Sequence, residues 1–277
     1  MGSDSTRDRK VLIYVLQNRE GLALTRYYLG DLTWEEAEKK LKEVDFVLVP
    51  IGSTEQHGPH LPLCTDYALT EMICKKLVED GLNAIIAPTV AYGCSEHHMR
   101  FPGTISLKED SLYNLVRDIC DSLFEHGVKR VLIVNGHGGN REVLQILARD
   151  LLSEGKEVLV VNWWEFTGGV EDVLGAETVI RGHACEIETS FALCLMPEKV
   201  RKDKIPKDHE VRDPRIDIDG EKVSLKPIHD WKELSEDGSI GVPSRGSVEA
   251  GEEMIKRITD HLLKALKKYL ERSSASS

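Results

Sequence analysis

Four short apolar runs constrain the fold of this chain more than any other feature: DFVLVPIG (45–52), NAIIAP (83–88), KRVLIVN (129–135) and KEVLVVNWW (156–164). Each is strand-sized and rich in β-branched residues. Strands apolar at consecutive positions are covered on both faces, as in a mainly parallel sheet between helix layers. Helical stretches separate the runs. Thr33-Trp34-Glu35-Glu36 is a capping box opening a helix toward Val44, and further helices are expected over 67–80, 110–126 and 139–153.

Beyond the fourth run the pattern loosens. Residues 186–196 read as a helix stopped by Pro197, and 199–243 as a polar excursion with a hairpin at Asp219-Gly220. The segment from 246 onward is an amphipathic helix with a serine tail. No repeat or Pro/Gly-rich linker marks a boundary, so 1–277 is expected to be one domain with disordered tails at 1–10 and 273–277.

Charge and cysteine usage narrow the function classes. Against 36 Lys and Arg stand 47 Asp and Glu, a net charge of −11, which argues against broad electrostatic binding to nucleic acid or anionic membrane. No apolar run reaches the ~18 residues of a membrane span, and the first ten residues lack the apolar core of a secretory signal. A cytoplasmic protein is expected. The six cysteines contain no C-x-x-C pair, and reduced, mostly buried thiols are expected in place of a disulfide framework or thiolate zinc site.

In open α/β sheets the functional loops follow the carboxyl ends of the strands. After the first run comes GSTEQHGPHLPLCTD, with Glu55, His57, His60 and Asp66; after the second, APTVAYGCSEHHMRFPGT, with Glu96, His97 and His98; after the third, NGHGGN, with His137. These loops hold half of the ten histidines. Glu55 and His57 lie two apart, so an extended segment points both to one side. Pro59 and Pro62 stiffen the path to Asp66. Glu55, His57, Asp66 and His137 make a carboxylate and imidazole set suited to zinc, manganese or iron(II), in which one carboxylate can bridge two ions. Taken alone, E-x-H is common, and Glu55 and His57 read equally well as solvated loop residues.

NGHGGN has a rival reading as a phosphate cradle between strand and helix. It fails G-x-G-x-x-G and lacks the Lys-Ser/Thr of a P-loop. A fourth cluster, GHACEIETS, carries His183, Glu186 and Glu188. His183 and Glu186 are within reach on one helical turn, while either glutamate also reads as a favourable acid at a helix N-terminus. Trp163 and Trp164 end the fourth run, and adjacent strand residues face opposite sides. One of the pair is expected to face a site mouth or an interface. There is no G-x-S-x-G and no H-E-x-x-H.

Taken together, IGSTEQHGPHLPLCTD, YGCSEHHMRFPGTISL, VNGHGGN and HACEIETS, in that order, resemble the creatininase (creatinine amidohydrolase) family, with GSVEAGEEMI resembling its last segment. The resemblance implies a three-layer α/β/α sandwich, two divalent metal ions, a small-molecule substrate and a homo-oligomer, often a hexamer. It also implies metal ligation by Glu55, His57, Asp66 and His137, with Asp66 bridging. His183 matches the catalytic histidine and Glu188 a family acid, assigned here to catalysis. Trp164 matches an aromatic of the substrate pocket, and His98 is assigned beside it.

Three departures from creatininase stand out. Its ligand glutamate two residues after the metal histidine is here Gly139, its acid before the catalytic histidine is Gly182, and its substrate-covering Trp is Val179. Glu186 is the expected replacement for the missing ligand. The expected reaction is attack of a metal-activated water on the carbonyl carbon of a cyclic amide or formamide, cleaving a non-peptide C–N bond in a substrate other than creatinine, with His183 protonating the leaving group. The alternatives are C–C ring opening of a keto-inositol on the same site, peptide maturation, a phosphate- or nucleotide-binding module without metal chemistry, and a scaffold that has lost catalysis.

Overall fold

The run 45–52 forms strand β1 (Phe46–Ile51), buried at all six positions. In the computed structural model, which describes residues 27–175, 182–207, 212, 216–223 and 230–275, β1 is central in a four-stranded sheet. It is joined by β2 (Ala84–Ile86), β3 (Val131–Asn135) and β4 (Val158–Asn162), in the order β2-β1-β3-β4. All three pairings are parallel, with Val47 opposite both Ile85 and Val131. The helices in chain order are α1 (Trp34–Glu43), α2 (Thr65–Glu79), α3 (Glu109–Glu125), α4 (Arg141–Ser153), α5 (Val170–Leu174), α6 (Glu186–Leu195), α7 (Trp231–Leu234) and α8 (Val248–Ala275).

The period-2 alternation of β1 sends its side chains into two separate cores. Phe46 and Leu48 pack with Leu69 and Ile73 of α2, Phe191 of α6 and Ile258 of α8. Val47 and Val49 pack with Leu41 of α1, Leu112 of α3 and Leu144 of α4. Helices therefore cover both faces, and the architecture is the three-layer α/β/α arrangement. Each fully buried Val, Leu or Ile in these layers contributes about 1.5–3 kcal/mol. The capping box holds α1, with Glu36 Oε2 accepting from Thr33 N at 2.8 Å and Thr33 Oγ1 from Glu36 N at 3.4 Å. In the excursion, β5 (Ile216–Ile218) and β6 (Glu221–Val223) form the expected antiparallel hairpin, turning at Asp219 (φ 53°) and Gly220 (φ 90°).

Of the boundaries that differ from the sequence reading, three carry a structural reason or bear on the site. The fourth strand stops at Asn162, and Trp163–Phe166 coils into a 3₁₀ turn, because the Asn162 side chain is held by Asn135 and reaches on to Glu165. Helix α8 continues to Ala275, into the serine tail, where the Ser273 hydroxyl back-bonds to the Tyr269 carbonyl. Asp66 lies in the first turn of α2, one residue earlier than the expected helix start. The tail 1–10 and Val179 lie outside the described residues. Among the described residues no helix is long and apolar enough to cross a membrane.

This topology places the site. The chain leaves β1 toward β2 on one side, while β3 lies on the other, so the crevice between the carboxyl ends of β1 and β3 is the switch point of the sheet. The polar loops after β1, β2 and β3 meet there.

Candidate metal centre

Four side chains converge at the switch point. Oδ1 of Asp66 lies 2.9 Å from His57 Nε2, and Oδ2 lies 3.0 Å from His137 Nδ1. Oε2 of Glu55 is 3.2 Å from the same His137 nitrogen. All four residues are at least 97% buried. In the neutral imidazoles, the ring nitrogens facing these oxygens carry lone pairs. Nδ1 of His57 donates to the Glu55 carbonyl (3.2 Å), and Nε2 of His137 donates to the Cys94 carbonyl (3.0 Å), which fixes each tautomer. His57 Nε2 and Asp66 Oδ2 are buried without a hydrogen-bond partner. Lone pairs facing carboxylate oxygens at such separations repel unless positive charge lies between them, either a proton on the imidazole or a metal ion in its place. The donor set thus fits divalent metal ions with oxygen and imidazole ligands.

The electrostatics agree with that geometry. Burial pushes His57 toward losing its proton, but the carboxylates of Asp66, Glu188 and Glu55 outweigh it and raise the imidazole to about 9. Burial pushes Asp66 up, and His57 and His137 pull it down further, to about 2. His137 is raised as well, against burial, by Glu55 and Asp66. Buried acids therefore create a strong demand for positive charge at one place.

A scaffold of polar side chains holds this set. Gln56 points opposite to Glu55 and His57. Its Oε1 accepts from Gly58 N (2.9 Å), and its Nε2 donates to the Gly238 carbonyl (3.1 Å) and to His98 Nδ1 (2.9 Å). His98 therefore turns its Nε2–H toward Oε1 of Glu55 (3.4 Å). Burial keeps its imidazole far below the ordinary range, hence neutral. Ser95 donates to Glu55 Oε2 at 2.6 Å. Asn135 clasps the NGHGGN turn, accepting from His137 N and donating to its carbonyl. Its glycines serve close packing: a Cβ on Gly136 would lie 1.8 Å from Thr70 Oγ1, and one on Gly139 2.1 Å from the Cys94 carbonyl oxygen. The His137 N–H that a phosphate cradle would present is already taken by Asn135.

The remaining wall comes from 182–243. His183 bridges to Ile240 through both backbone groups, and the next residue, Ala184, sits at φ 49°, a costly conformation outside glycine. His183 Nε2 donates to the Gln56 carbonyl at 2.6 Å, which leaves Nδ1 as the acceptor, 3.7 Å from Glu55 Oε1. Glu188 directs Oε1 toward His57 Nε2 at 4.0 Å, and burial raises its carboxyl to about 7 against the pull of His57.

Glu186 corrects the sequence reading: it is not brought to the cluster. Its Oε2 accepts from Val242 N at 2.6 Å, on the opposite side of α6. Two residues span roughly 200° of helix, so only one of Glu186 and Glu188 can face the centre.

A cavity of about 360 Å³ opens over these groups, bordered by Asp66, His98, His137, His183, Trp164 and Trp231. Trp163 is buried against Phe191 (5.1 Å), while Trp164 is half-buried at the rim. Of the other loop residues, His97 stacks on His137 at 5.6 Å, His60 bonds Thr189 at 2.8 Å and ties the first loop to α6, and Glu96 is exposed. Sequence reasoning missed Gln56, Ser95 and Trp231. Gln56 and Ser95 stand inside the motifs already singled out, but Trp231 lies in the excursion. Its indole packs over His98 (4.7 Å), His97 (5.5 Å) and His183 (5.5 Å). The Asp230–Arg100 ion pair (3.5 Å) and Lys232 over the Phe101 ring (4.7 Å) hold it there.

Comparison with known proteins gives the chain clear relatives. The chain is 32% identical over 199 residues to creatinine amidohydrolase of Pseudomonas putida, covering 64% of this chain and 75% of that one. It is 37% identical over 167 residues to mycofactocin precursor peptide peptidase of Mycolicibacterium smegmatis (58% and 62% covered), and 25% over 277 residues to 3-dehydro-scyllo-inosose hydrolase of Thermotoga maritima (91% and 86%). Among solved structures it superimposes on a mutant creatininase of Zn-Zn type with a TM-score of 0.74 at 27% identity, covering 88% of this chain and 98% of that one. A creatininase in a Mn form gives 0.74 at 26% identity, covering 88% and 99%. The family profile described as creatinine amidohydrolase matches residues 30–266, and with the fold and the carboxylate–imidazole centre in place, the chain belongs to the creatininase family of metal-dependent amidohydrolases.

Proposed function

We propose that the protein is a dinuclear metal hydrolase that adds water to the carbonyl carbon of a small polar cyclic amide or formamide and cleaves a non-peptide C–N bond. The observation that carries this reading is the Asp66 carboxylate, with one oxygen facing a ring nitrogen of each of two histidines. Glu55, His57, Asp66 and His137 hold the two ions, zinc, manganese or iron. When bound, such a pair acidifies water toward a pKa of ~7 and polarises the carbonyl oxygen. His183, neutral through burial, accepts a proton at Nδ1 beside Glu55 and delivers it to the leaving nitrogen. His98 and Ser95 hold Glu55 in place. Trp164 lines the substrate side of the cavity, whose volume suits a ring-sized molecule.

A second reading is C–C ring opening of a keto-inositol by the same set of groups. The match to the inosose hydrolase, which extends over 91% of this chain, favours it. The test is turnover of cyclic ureas, lactams, formamides and keto-inositols by protein loaded with Zn²⁺, Mn²⁺ or Fe²⁺, with His137→Ala as the control. Full turnover by that variant would remove the assignment. Assembly into a homo-oligomer is part of the proposal, and light scattering on the purified protein checks it.

A further inference from the structure

The two halves of the proposed centre are unequally furnished. At His137, Nδ1 faces two carboxylate oxygens, from Glu55 and Asp66, at 3.2 and 3.0 Å. At His57, Nε2 faces the other Asp66 oxygen at 2.9 Å, and the next nearest carboxylate oxygen paired with it belongs to Glu188, at 4.0 Å. We propose that Glu188 is the fifth protein ligand of the metal pair, completing the His57 half from helix α6; this rests on the dinuclear reading above.

Three observations carry it. His57, Asp66 and Glu188 each offer one ligand atom, and all three atoms lie within 4.8 Å of one another, a spacing that one ion can bridge. Oε2 of Glu188 is buried and has no hydrogen-bond partner, like His57 Nε2 and Asp66 Oδ2 around it. An acid placed only to favour a helix N-terminus gains nothing from turning an oxygen into a dry pocket of other acceptors. Position 139, the other place from which a carboxylate could enter beside His137, has no room for a side chain. A Cβ there would lie 2.1 Å from the Cys94 carbonyl oxygen and 2.7 Å from His137 Nε2. The ligand therefore enters from the opposite wall. The helix phase selects Glu188, because Glu186 is turned toward Val242.

The test is metal stoichiometry, read without any substrate. Wild type, Glu188→Gln, Glu186→Gln and Asp66→Asn are loaded with ZnCl₂, desalted and measured by elemental analysis. Stepwise Co²⁺ titration followed by visible absorption gives the separate affinities. The expected result is two ions in wild type and E186Q, and one tightly held ion in E188Q, with the second weakened about 100-fold or more. Two ions in E188Q at wild-type affinity would overturn the inference while leaving the dinuclear reading intact. Wild type that binds no zinc, or D66N that keeps both ions, would instead overturn that reading and the inference with it. Circular dichroism verifies that E188Q is folded; if it is not, Glu188→Ala is read by the same criteria.

Discussion

His57 Nε2 and Asp66 Oδ1 stand 2.9 Å apart, yet the imidazole nitrogen forms no hydrogen bond. A buried contact of this kind needs positive charge between the two atoms, a proton on the imidazole or a metal ion in its place, and ions that bind only the folded state stabilise it. Ions at a thousandfold excess over their dissociation constant add about 4 kcal/mol. Stripping them with a chelator should lower the melting temperature by roughly 10 °C, and adding Zn²⁺ should restore it. Asp66→Asn, which lacks the shared carboxylate, should show no zinc-dependent shift in differential scanning calorimetry.

Gly139 carries a second prediction. Its missing side chain lets the NGHGGN turn lie against the Cys94 carbonyl, 2.1 Å from where a Cβ would be. Gly139→Ala should force the turn outward, destabilise the protein by about 1–3 kcal/mol in urea unfolding, and weaken zinc retention. Gly139→Glu should fare worse, because the added carboxylate cannot reach the centre through that contact.

Trp231 bears on selectivity. Its indole covers His97, His98 and His183 from the cavity side, and its Nε1 is buried without a partner. Trp231→Ala should leave metal content and fold unchanged while lowering kcat/KM about 100-fold on the best cyclic substrate, through lost apolar contact of a few kcal/mol. Trp231→Phe should recover most of the loss. Steady-state kinetics with parallel elemental analysis checks both.

The thiols give a prediction independent of the centre. Burial pushes Cys94 up to about 11 and Cys120 and Cys185 to about 12, and raises Cys74 further. Cys64 and Cys194 are only half-buried. At pH 8 the native protein should release chromophore from a disulfide reagent at two thiols at most within minutes, and at all six in guanidinium chloride. Fewer than six after denaturation would reveal a disulfide.

What the sequence disclosed follows a physical boundary. The strands were legible because two-sided burial forces unbroken apolar runs. That Glu55, His57, Asp66 and His137 would converge was legible because parallel strands deliver their carboxyl ends to one edge. The choice between Glu186 and Glu188 was not. Both begin the same helix about 200° apart, and the Val242 N–H that captures Glu186 comes from a loop with no periodicity to read. Trp231 escaped for the same reason: its position depends on ion pairs and ring contacts with residues 97–101, more than a hundred positions away. The 3₁₀ turn at Trp163 hinges on an Asn135–Asn162 side-chain bond, a tertiary event invisible to local pattern.

Two different stretches of polypeptide build the two sides of the cavity. Residues 55–137 provide the carboxylates and imidazoles anchored at the sheet edge, and residues 182–243 provide most of the opposing wall. The later stretch thus carries the wall that selects the molecule and also, in His183 and Glu188, part of the reactive set. A chimaera that grafts the later stretch from a relative onto this sheet should inherit the donor's preference, and should keep both ions only where the donor brings an acid at the place of Glu188, which makes that position the one to preserve when such enzymes are redirected to new compounds.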